Sequence, residues 1–564
     1  MNTEIPGIVF MFGLTLLLAI PFGRYIAKVY HGEKSLLDFM APVENLFYRI
    51  SGINAQREMT WKESMVALLT INMVWFLFAM FILMAQGWLP LNPDGNPSMT
   101  ADLAFNTAIS FMVNCNLQHY SGETGVTYLS QLVGLMFLQF VSAATGLAAA
   151  AILFNALKER TTDKLGNFYN YFIKSLTRIL LPLSVVVAII FLFNGMPMTL
   201  EGKDTITSMQ GDTVQVSTGP VAAFVPIKHV GTNGGGFFGT NSAHPFENPN
   251  YLTNIVQQVA QFIIPLAMVF ALGFYLKKRK FSWMVFGVMT FGFLCLVIPN
   301  IVMEQQGNPQ IAQMGVDMSS GAMEGKEVRF GAVASAYWSI LTTVISTGSV
   351  NSFHDSFMPL SGMNQMLAMM VNGFYGGVGV GMLNFFVFVI IAVFISGLMV
   401  GRTPELFGKK VEAREVKIAV IVTLMSALLI KGGTAIAAYM FTADPSLPWL
   451  NNPGFHGFSE MLYEFTSANA NNGSGFEGLG DNNPFWNIST GIVLILGRFI
   501  PIIGPIAIAG ILANKKYIPE SAGTLRTDNV TFGIMIFAVI FILTALSYFP
   551  ALALGPIAEF FSMH

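Results

Sequence analysis

The chain has 564 residues, of which 53% are hydrophobic and only 11% are charged, and its mean hydropathy is +0.59. A soluble chain carries about 25% charged residues, so these values exclude an ordinary soluble protein and indicate one that crosses a membrane many times. The formal net charge of −2 gives no sign of nucleic-acid binding. Only Cys115 and Cys295 occur, and Cys295 lies in an apolar segment, so no disulfide framework is expected.

Ten apolar segments are candidates for membrane-spanning helices, which need roughly 20 residues each. They cover residues 6–22, 64–88, 128–157, 179–193, 252–276, 283–303, 366–400, 418–439, 485–512 and 532–552. An even number of spans places both chain termini on the same side of the membrane. Glu4 precedes the first segment and no basic residue does, so a cleavable signal peptide is not expected.

The basic residues alternate between loops. Of the 29 lysines and arginines, 23 follow odd-numbered segments and two, Lys431 and Arg498, lie inside segments. Only Lys203, Lys228, Lys326 and Arg329 follow even-numbered segments. Because cytoplasmic loops carry the excess of positive charge, this alternation predicts that both termini lie on the outer side. A wrong number of spans would have disturbed the alternation, so it also supports the count of ten.

The outer loops after segments 2, 4, 6 and 8 share one internal order. Each contains an apolar stretch too short to span the bilayer, at residues 103–113, 220–230, 332–345 and 459–468, and small and amide residues follow at once. With Asn116, Asn233, Thr347 and Asn472 as markers, the separations are 117, 114 and 125 residues. Near-constant spacing with the same order indicates four copies of one unit.

Each unit is interpreted as a span, a half-length helix that re-enters the membrane, a polar turn and a second span. All four units start from the cytoplasmic side, so the repeats are parallel, unlike the inverted repeats of many alternating-access carriers. The expected fold is an all-α membrane protein with ten transmembrane helices, four such repeats around a pseudo-fourfold axis and one extra helix at each end. The expected boundaries are 1–62 for the first helix and its loop, 63–157, 178–276, 281–402 and 417–514 for the repeats, and 530–552 for the tenth helix.

The four polar turns form the predicted cation site. Rings of backbone carbonyls replace the hydration shell of K⁺ in selectivity filters, and the carbonyl ends of the half-length helices would face the ion. In the second turn, consecutive glycines including Gly234 and Gly235 leave the backbone free to adopt positive φ. The predicted filter residues are Asn114, Cys115 and Asn116; Thr232, Asn233, Gly234 and Gly235; Ser346, Thr347 and Gly348; and Asn471, Asn472 and Gly473.

Several longer motifs resemble a known family. They are GTNGGGFF at 231–238, HPFENP at 244–249, YSGE at 120–123, MEGKE at 323–327, HDS at 354–356, GRTPE at 401–405 and NNGS at 471–474. Together they resemble the potassium-binding A subunit of bacterial Kdp-type potassium-transporting ATPases, over essentially the whole chain. Two positions depart from the family pattern, since Cys115 stands where a small hydroxyl residue is expected and Thr347 where a cysteine is expected.

The resemblance implies a superfamily of K⁺ transporters, with K⁺ as the transported ion, no organic cofactor and a location in the bacterial inner membrane. The implied partners are an ATP-hydrolysing P-type ATPase subunit of the Kdp B type, small membrane subunits of the Kdp C and F types, and membrane lipids, with no nucleic acid. The chain itself has neither a phosphate-binding loop motif nor an Asp-Lys-Thr-Gly-Thr phosphorylation motif. It is therefore expected to bind and conduct K⁺ without hydrolysing ATP.

Two other classes of function compete with this interpretation. One is a free-standing K⁺ channel or symporter of the same superfamily, and the other is an alternating-access secondary carrier. Co-purification with an ATPase would separate the first, and the parallel or inverted arrangement of the repeats would separate the second.

Three further features bear on ion passage. Arg498 lies in the middle of the ninth segment, where a lone cation is costly; it is either part of a structural ion pair or, as the resemblance implies, a charge beneath the filter. Segment 366–400 is too long for one crossing, and its glycine-rich run predicts a break. The resemblance implies a gating loop there, with Gly376, Gly377 and Gly379, whereas small-residue helix packing is the alternative. Lys431, in segment 8, is expected to reach toward the outer interface.

Five of the seven histidines lie in or beside the polar turns, at His119, His229, His244, His354 and His456. None of them shows the i, i+4 spacing of a helical metal site, and no cysteine joins them. Ordinary hydrogen bonding of the loops is therefore the favoured interpretation.

Overall fold

The computed structural model describes residues 4–519 and 526–563. Within these ranges, ten helices are long and apolar enough to cross a membrane, which confirms the number of spans predicted from the sequence. Spans 1 to 10 are Glu4–His31, Trp61–Trp88, Ser130–Lys158, Phe168–Phe193, Tyr251–Tyr275, Arg279–Gln313, Val380–Val400, Ala413–Ala443, Pro484–Asn514 and Val530–Ser562.

Four of the shorter helices between these spans end directly before the predicted polar turns, at Ala101–Met112, Val221–Val230, Gly331–Val344 and Phe455–Ala470. We call them half-helices 1 to 4. They contain 12, 10, 14 and 16 residues, so at about 1.5 Å per residue they are shorter than a hydrocarbon core of about 30 Å. Most of their side chains are buried. Each overlaps a short apolar stretch predicted from the sequence.

The burial of the spans repeats through the chain. In spans 3, 5, 7 and 9, 89%, 83%, 67% and 61% of the most apolar stretch is buried, against 33%, 39%, 39% and 28% in spans 2, 4, 6 and 8. Each half-helix is thus preceded by a peripheral span and followed by an inner one. This regular alternation confirms the fourfold repeat of span, half-helix, turn and span.

The first and last spans lie outside the four repeats, and they are only 17% and 33% buried by the same measure. Span 1 packs along span 5. Gly23 permits this close approach, because a β-carbon at that position would lie only 2.6 Å from the carbonyl oxygen of Ala267. The first helix therefore packs directly against the inner span of the second repeat.

Polar residues determine where the chain enters several spans. At span 2, the hydroxyl of Thr60 accepts from the N–H of Glu63, and the carboxylate of Glu63 accepts from the N–H of Thr60. Asn250 and Thr253 make the same reciprocal arrangement at span 5. These bonds satisfy N–H groups that have no partner inside the helix.

The predicted segment 366–400 is interrupted. A helix at Pro359–Val371 ends at Asn372, whose φ is 41°, and span 7 begins only at Val380. The predicted break is therefore present, but residues 366–371 belong to the preceding helix and not to the span. We call residues 372–379 the glycine loop. Within it, Gly376 and Gly379 have φ values of 63° and 79°, which side chains with a β-carbon rarely adopt.

The remaining structure connects these helices. Two antiparallel hairpins pair Asp204–Thr207 with Thr213–Val216 and Glu405–Leu406 with Lys409–Lys410. Short helices lie at Asp38–Met40, Ala41–Ile50, Gly122–Gly125, Asn241–Ala243 and His354–Ser356. Wider helical turns occur inside spans 3, 4 and 10, at Ser130–Met136, Leu176–Leu180 and Ala553–Ile557.

Candidate ion site

All four half-helices end in the same backbone conformation. The first and third residues of each following turn have positive φ, although only three of these eight residues are glycine. The pairs are Asn114 (63°) and Asn116 (63°), Thr232 (47°) and Gly234 (86°), Ser346 (47°) and Gly348 (83°), and Asn471 (51°) and Gly473 (104°). We call residues 114–116, 232–234, 346–348 and 471–473 turns 1 to 4.

The same hydrogen bond closes each turn. The N–H of its central residue donates to the carbonyl five residues earlier, as in the helix-terminating Schellman motif. The bonds run from Cys115 to Ser110, Asn233 to Lys228, Thr347 to Thr342 and Asn472 to Ser467, at 3.0, 2.9, 2.9 and 2.9 Å. The central residue of turn 1 is therefore Cys115, one position before the marker Asn116, and the first separation becomes 118 residues.

The four turns touch one another in a closed ring. A β-carbon on Gly234 would lie 1.7 Å from the carbonyl oxygen of Thr347, and one on Gly348 would lie 2.1 Å from that of Asn472. Gly473 stands in the same relation to the carbonyl oxygen of Cys115, also at 2.1 Å. The third residues of turns 2, 3 and 4 thus approach the central carbonyls of turns 3, 4 and 1.

The contact between turns 1 and 2 closes the ring through a side chain. The amide nitrogen of Asn114 donates to the carbonyls of Gly231 and Thr232, at 3.1 and 2.9 Å. Turn 1 has Asn116 where the other turns have glycine. The structure therefore brings the predicted residues of all four turns together, although they are more than 350 positions apart in the chain from Asn114 to Gly473.

Gly235, the residue after turn 2, differs in conformation from Gly234, although both glycines were free to adopt positive φ. Gly234 has positive φ, but Gly235 does not. Gly235 is instead confined by packing, since a β-carbon there would lie 2.7 Å from the β-carbon of Asn116 and 3.0 Å from the ring of Phe111. Only one of the two glycines in the prediction therefore provides the left-handed backbone.

The glycine loop contacts turns 2 and 3 and the end of half-helix 4. The N–H of Val378 donates to the hydroxyl of Thr232 at 2.9 Å. The hydroxyl of Ser346 donates to the side-chain oxygen of Asn372 at 2.9 Å, and the amide nitrogen of Asn372 donates to the carbonyl of Ala470 at 3.2 Å. These bonds involve the first residues of turns 2 and 3 and the residue before turn 4, so the loop lies directly beside the ring.

Arg498 lies beside the same loop. It is buried, and its guanidinium donates to the carbonyl of Ser142 at 3.1 Å. Among residues 4–519 and 526–563 it forms no ion pair with a carboxylate, so the structural ion pair considered from the sequence is absent there. A β-carbon on Gly146 would lie 2.3 Å from the carbonyl oxygen of Val378 and 3.4 Å from Arg498 Nη2. Span 3 therefore packs against both the loop and the arginine.

Ser142 connects Arg498 to the turns. Its hydroxyl oxygen lies 2.9 Å from Asn114 Oδ1 and 3.1 Å from Asn233 Oδ1. This role of Ser142 could not be predicted from the sequence, because serine is common in membrane helices. By contrast, the position of Asn372 at the start of the glycine-rich run could have suggested its contact with the turns.

Acidic residues and His119 lie just beyond turn 1. Nε2 of His119 is 3.1 Å from Oε1 of Glu464, and Nδ1 is 2.7 Å from Oδ1 of Asn487. Burial lowers the pKa of His119, but the charges of Asp481 and Glu464 outweigh that effect and raise its pKa to about 9. A protonated His119 therefore links the loop after turn 1 to half-helix 4, in agreement with the hydrogen-bonding role expected of the histidines.

Lys431 lies on the exposed side of span 8.

This fold and this site define a multi-pass membrane protein of the class in which four re-entrant half-helices surround a ring of backbone turns. Its fold is similar to that of the potassium transporter TrkH from Vibrio parahaemolyticus, with a TM-score of 0.52, 14% identity and coverage of 87% of this chain and 96% of that chain. A family model described as the potassium-transporting ATPase A subunit matches residues 9–561. The chain belongs to that family.

Relatives similar to this chain carry one description, potassium-transporting ATPase potassium-binding subunit. A protein from Flavobacterium psychrophilum is 68% identical, and one from Phocaeicola vulgatus is 60% identical, each over 100% of both chains. A relative from Geobacillus kaustophilus is 45% identical over 98% of both chains. The family resemblance inferred from the sequence motifs is thereby confirmed.

Proposed function

We propose that this chain binds K⁺ from the outer side of a bacterial inner membrane and delivers it for ATP-driven, high-affinity uptake by a multisubunit P-type ATPase. Its relatives are named as potassium-binding subunits of a potassium-transporting ATPase. The observation that carries the proposal is the closed ring of four turns that share one backbone conformation.

K⁺ suits this ring because it sheds its water readily when several carbonyl dipoles replace the hydration shell. Four half-helices end at the ring, so their carbonyl ends contribute negative potential at its centre. Left-handed residues at alternate positions reorient successive peptide groups in each turn. The filter is thus formed by Asn114 to Asn116, Thr232 to Gly235, Ser346 to Gly348 and Asn471 to Gly473.

The glycine loop and Arg498 would control passage beyond the filter. Gly377 lies beside turns 2 and 3, Gly379 packs against span 3, and the N–H of Gly376 donates to the carbonyl of Val344 at the end of half-helix 3. Glycine tolerates the backbone changes that opening requires. Arg498, which has no carboxylate partner among the described residues, would oppose free leakage of K⁺ by electrostatic repulsion. Passage would then depend on movement of the loop.

Uphill transport requires a source of energy that we assign to a partner. We propose that a Kdp B-type subunit hydrolyses ATP, that small C- and F-type subunits complete the complex and that this chain does not hydrolyse ATP. Both termini would lie outside the cytoplasm, as the distribution of basic residues indicates.

The test compares ATP hydrolysis in membranes that contain this chain with or without the products of its neighbouring genes. K⁺-stimulated hydrolysis that requires both this chain and an ATPase partner would support the proposal. Selective K⁺ uptake by this chain alone would instead favour a free-standing channel or symporter, the alternative that its fold also permits.

A further inference from the structure

A buried ion pair stands behind turn 2. Lys228 occupies the last turn of half-helix 2, and its ammonium group contacts the carboxylate of Glu247. Both side chains are fully buried, with 0% exposed surface. Ion pairs in such places are not strongly stabilising in themselves, because desolvating two charges offsets much of their attraction. The position of this pair therefore calls for a reason other than stability.

The other half-helices have a different type of residue at the equivalent position. The carbonyl that closes each turn belongs to Lys228 in the second repeat, but to Ser110, Thr342 and Ser467 in the other three. Three small hydroxyl residues and one lysine thus occupy the same structural position. The long charged side chain is a property of turn 2 alone.

The lysine side chain reaches a filter carbonyl through one intermediate residue. Its ammonium nitrogen contacts the side-chain oxygen of Asn241 and donates to the hydroxyl of Ser242 at 2.8 Å. The amide nitrogen of Asn241 then donates to the carbonyl of Gly234 at 2.8 Å. Lys228 and the N–H groups of Ser242 and Val350 all donate to the Asn241 oxygen. Because an ammonium group can only donate, Lys228 therefore favours the orientation in which the amide nitrogen of Asn241 faces Gly234.

Glu247, the partner of Lys228, contacts the residues between turn 2 and Asn241. Its second carboxylate oxygen accepts from the N–H groups of Phe237 and Phe238, at 3.1 and 3.3 Å. These residues come directly after the glycines of turn 2. Glu247 thus holds the backbone at Phe237 and Phe238, and Lys228 holds Asn241, which bonds to Gly234.

The same asparagine also contacts the segment after turn 3. The side-chain oxygen of Asn241 lies 3.3 Å from the N–H of Val350 and 3.4 Å from the hydroxyl of Ser349. Both residues follow Gly348. Asn241 thus spans the junction of turns 2 and 3, where Gly234 approaches the carbonyl of Thr347.

We infer that Lys228, Asn241 and Glu247 form a brace that positions the Gly234 carbonyl and so determines the ion preference of the filter. The brace holds one filter carbonyl through a side-chain hydrogen bond, and the positions and dipoles of such carbonyls set the distinction between K⁺ and ions of other sizes. The inference rests on the proposed function, since it assigns positioning residues to a K⁺ filter.

The test uses the assembled complex and measures K⁺- and Rb⁺-stimulated ATP hydrolysis over a range of ion concentrations. Asn241→Ala leaves the ion pair in place but removes the bond to Gly234. We expect its apparent K⁺ constant to rise about tenfold, which corresponds to 1.4 kcal/mol, and the ratio of Rb⁺ to K⁺ constants to approach one. Lys228→Met should change this ratio in the same direction, and Lys228→Arg should restore part of it.

A matched control is available in the third repeat. Lys326 and Glu304 form an ion pair at 2.9 Å that is equally buried, with 0% exposed side chains, but Glu304 contacts the N–H of Met358 instead of a filter turn. Lys326→Met should leave the ratio of ion constants within twofold of wild type. A change as large as that of Asn241→Ala would attribute the effect to general loosening and overturn the inference.

The double variant Lys228→Met/Glu247→Gln separates charge from position. Lys228→Met alone leaves the buried carboxylate of Glu247 without its partner, and the second substitution removes that charge. The double variant does not restore the orientation of Asn241, so the altered ratio of Rb⁺ to K⁺ constants should persist. Recovery of the wild-type ratio would contradict the brace. If Lys228→Met does not assemble, Asn241→Ala decides the question alone, and a wild-type ion preference in that variant refutes the inference. Absence of K⁺ selectivity in the wild-type complex would refute the proposed function instead.

Discussion

Thr232 combines a strained backbone conformation with a hydrogen bond to the glycine loop. It is β-branched, yet its φ is 47°, a conformation that costs a non-glycine residue about 1–2 kcal/mol. Its hydroxyl accepts from the N–H of Val378 in the glycine loop. Ser346, with the same φ, donates its hydroxyl to Asn372 in that loop. Strained residues of this kind cluster at functional sites, where the surrounding structure maintains them.

Substitution of Gly234 in turn 2 and of the next residue, Gly235, should have graded effects. Gly234→Ala requires positive φ of a residue with a β-carbon, which costs about 1 kcal/mol, and places that carbon against the carbonyl of Thr347. We expect the apparent K⁺ constant for ATP hydrolysis to rise at least about tenfold, because 1.4 kcal/mol corresponds to a factor of ten. Gly235→Ala should have a smaller effect, since its nearest neighbour is the side chain of Asn116.

Gly13→Ala is the control for this series, because nothing lies within 4 Å of a β-carbon at Gly13 in span 1. Its K⁺ constant should equal that of the wild type. Equal constants in all three variants would show that the turn conformation does not determine K⁺ affinity.

Removal of the Arg498 charge should affect ion passage more than assembly. In Arg498→Gln, we expect the complex to form and hydrolyse ATP, but to transport less K⁺ per ATP, because the charge acts on the ion rather than on the fold. The measurement is K⁺ uptake per ATP hydrolysed in reconstituted vesicles. Normal coupling in this variant would assign Arg498 a purely structural role through its bond to Ser142.

At the scale of elements, half-helix 4 is tied to the end of span 10 through His456. Its ring nitrogens lie 2.9 Å from Asp355 and 2.7 Å from Glu559. Burial lowers the pKa of His456, but its hydrogen bonds with the two carboxylates outweigh that effect and raise the pKa to about 10. Nearby Glu460 has its own pKa raised to about 7, chiefly by burial.

A raised histidine pKa gives stability that is present at low pH. The contribution is complete below the ordinary histidine pKa of about 6.5 and is lost as the pH rises through about 10. We therefore expect His456→Gln to lower the thermal unfolding temperature most near pH 6, and the difference from wild type to shrink toward pH 10. The measurement is thermal unfolding of the purified wild-type and variant complexes across this pH range. A difference in unfolding temperature that grows with pH would contradict the raised pKa of His456.

The positions of the half-helices could be predicted from the sequence, but the full length of half-helix 4, Phe455–Ala470, and the register of the turns could not. An apolar stretch followed by amide residues indicates where each half-helix ends. In turn 1, however, Asn114 and Asn116 are equally plausible markers, and only backbone conformation identifies Cys115 as the central residue. The contacts of Lys228 with Asn241 and Glu247 could not be predicted either, because they depend on how residues 237–247 fold back onto turn 2.

At the scale of the whole molecule, composition and spacing predict the architecture well. Ten spans and four repeats follow from hydropathy and from near-constant separations, since a bilayer leaves few alternatives to helices. Which span is inner could not be predicted, because inner and peripheral spans are similarly apolar. The boundaries proposed for the repeats, from 63–157 to 417–514, remain predictions.

The proposed orientation is testable by labelling of engineered thiols. Met209, in the hairpin loop after span 4, is fully exposed. Thr161, which follows span 3, is also exposed. In a Cys295→Ser background, Met209→Cys should react with a membrane-impermeant thiol reagent in intact cells whose outer membrane is permeable. Thr161→Cys should react only after the inner membrane is opened. The reverse pattern would overturn the topology.

The proposed function requires that the four turns together bind one dehydrated K⁺. The most direct measurement is the anomalous scattering of Tl⁺, a heavy K⁺ analogue, in crystals of the assembled complex. We expect a strong peak enclosed by turns 1 to 4, within coordinating distance of backbone carbonyls from every turn, which K⁺ displaces and Na⁺ does not. A ring without a peak, or an ion held by carboxylates outside the ring, would refute a carbonyl filter at this site.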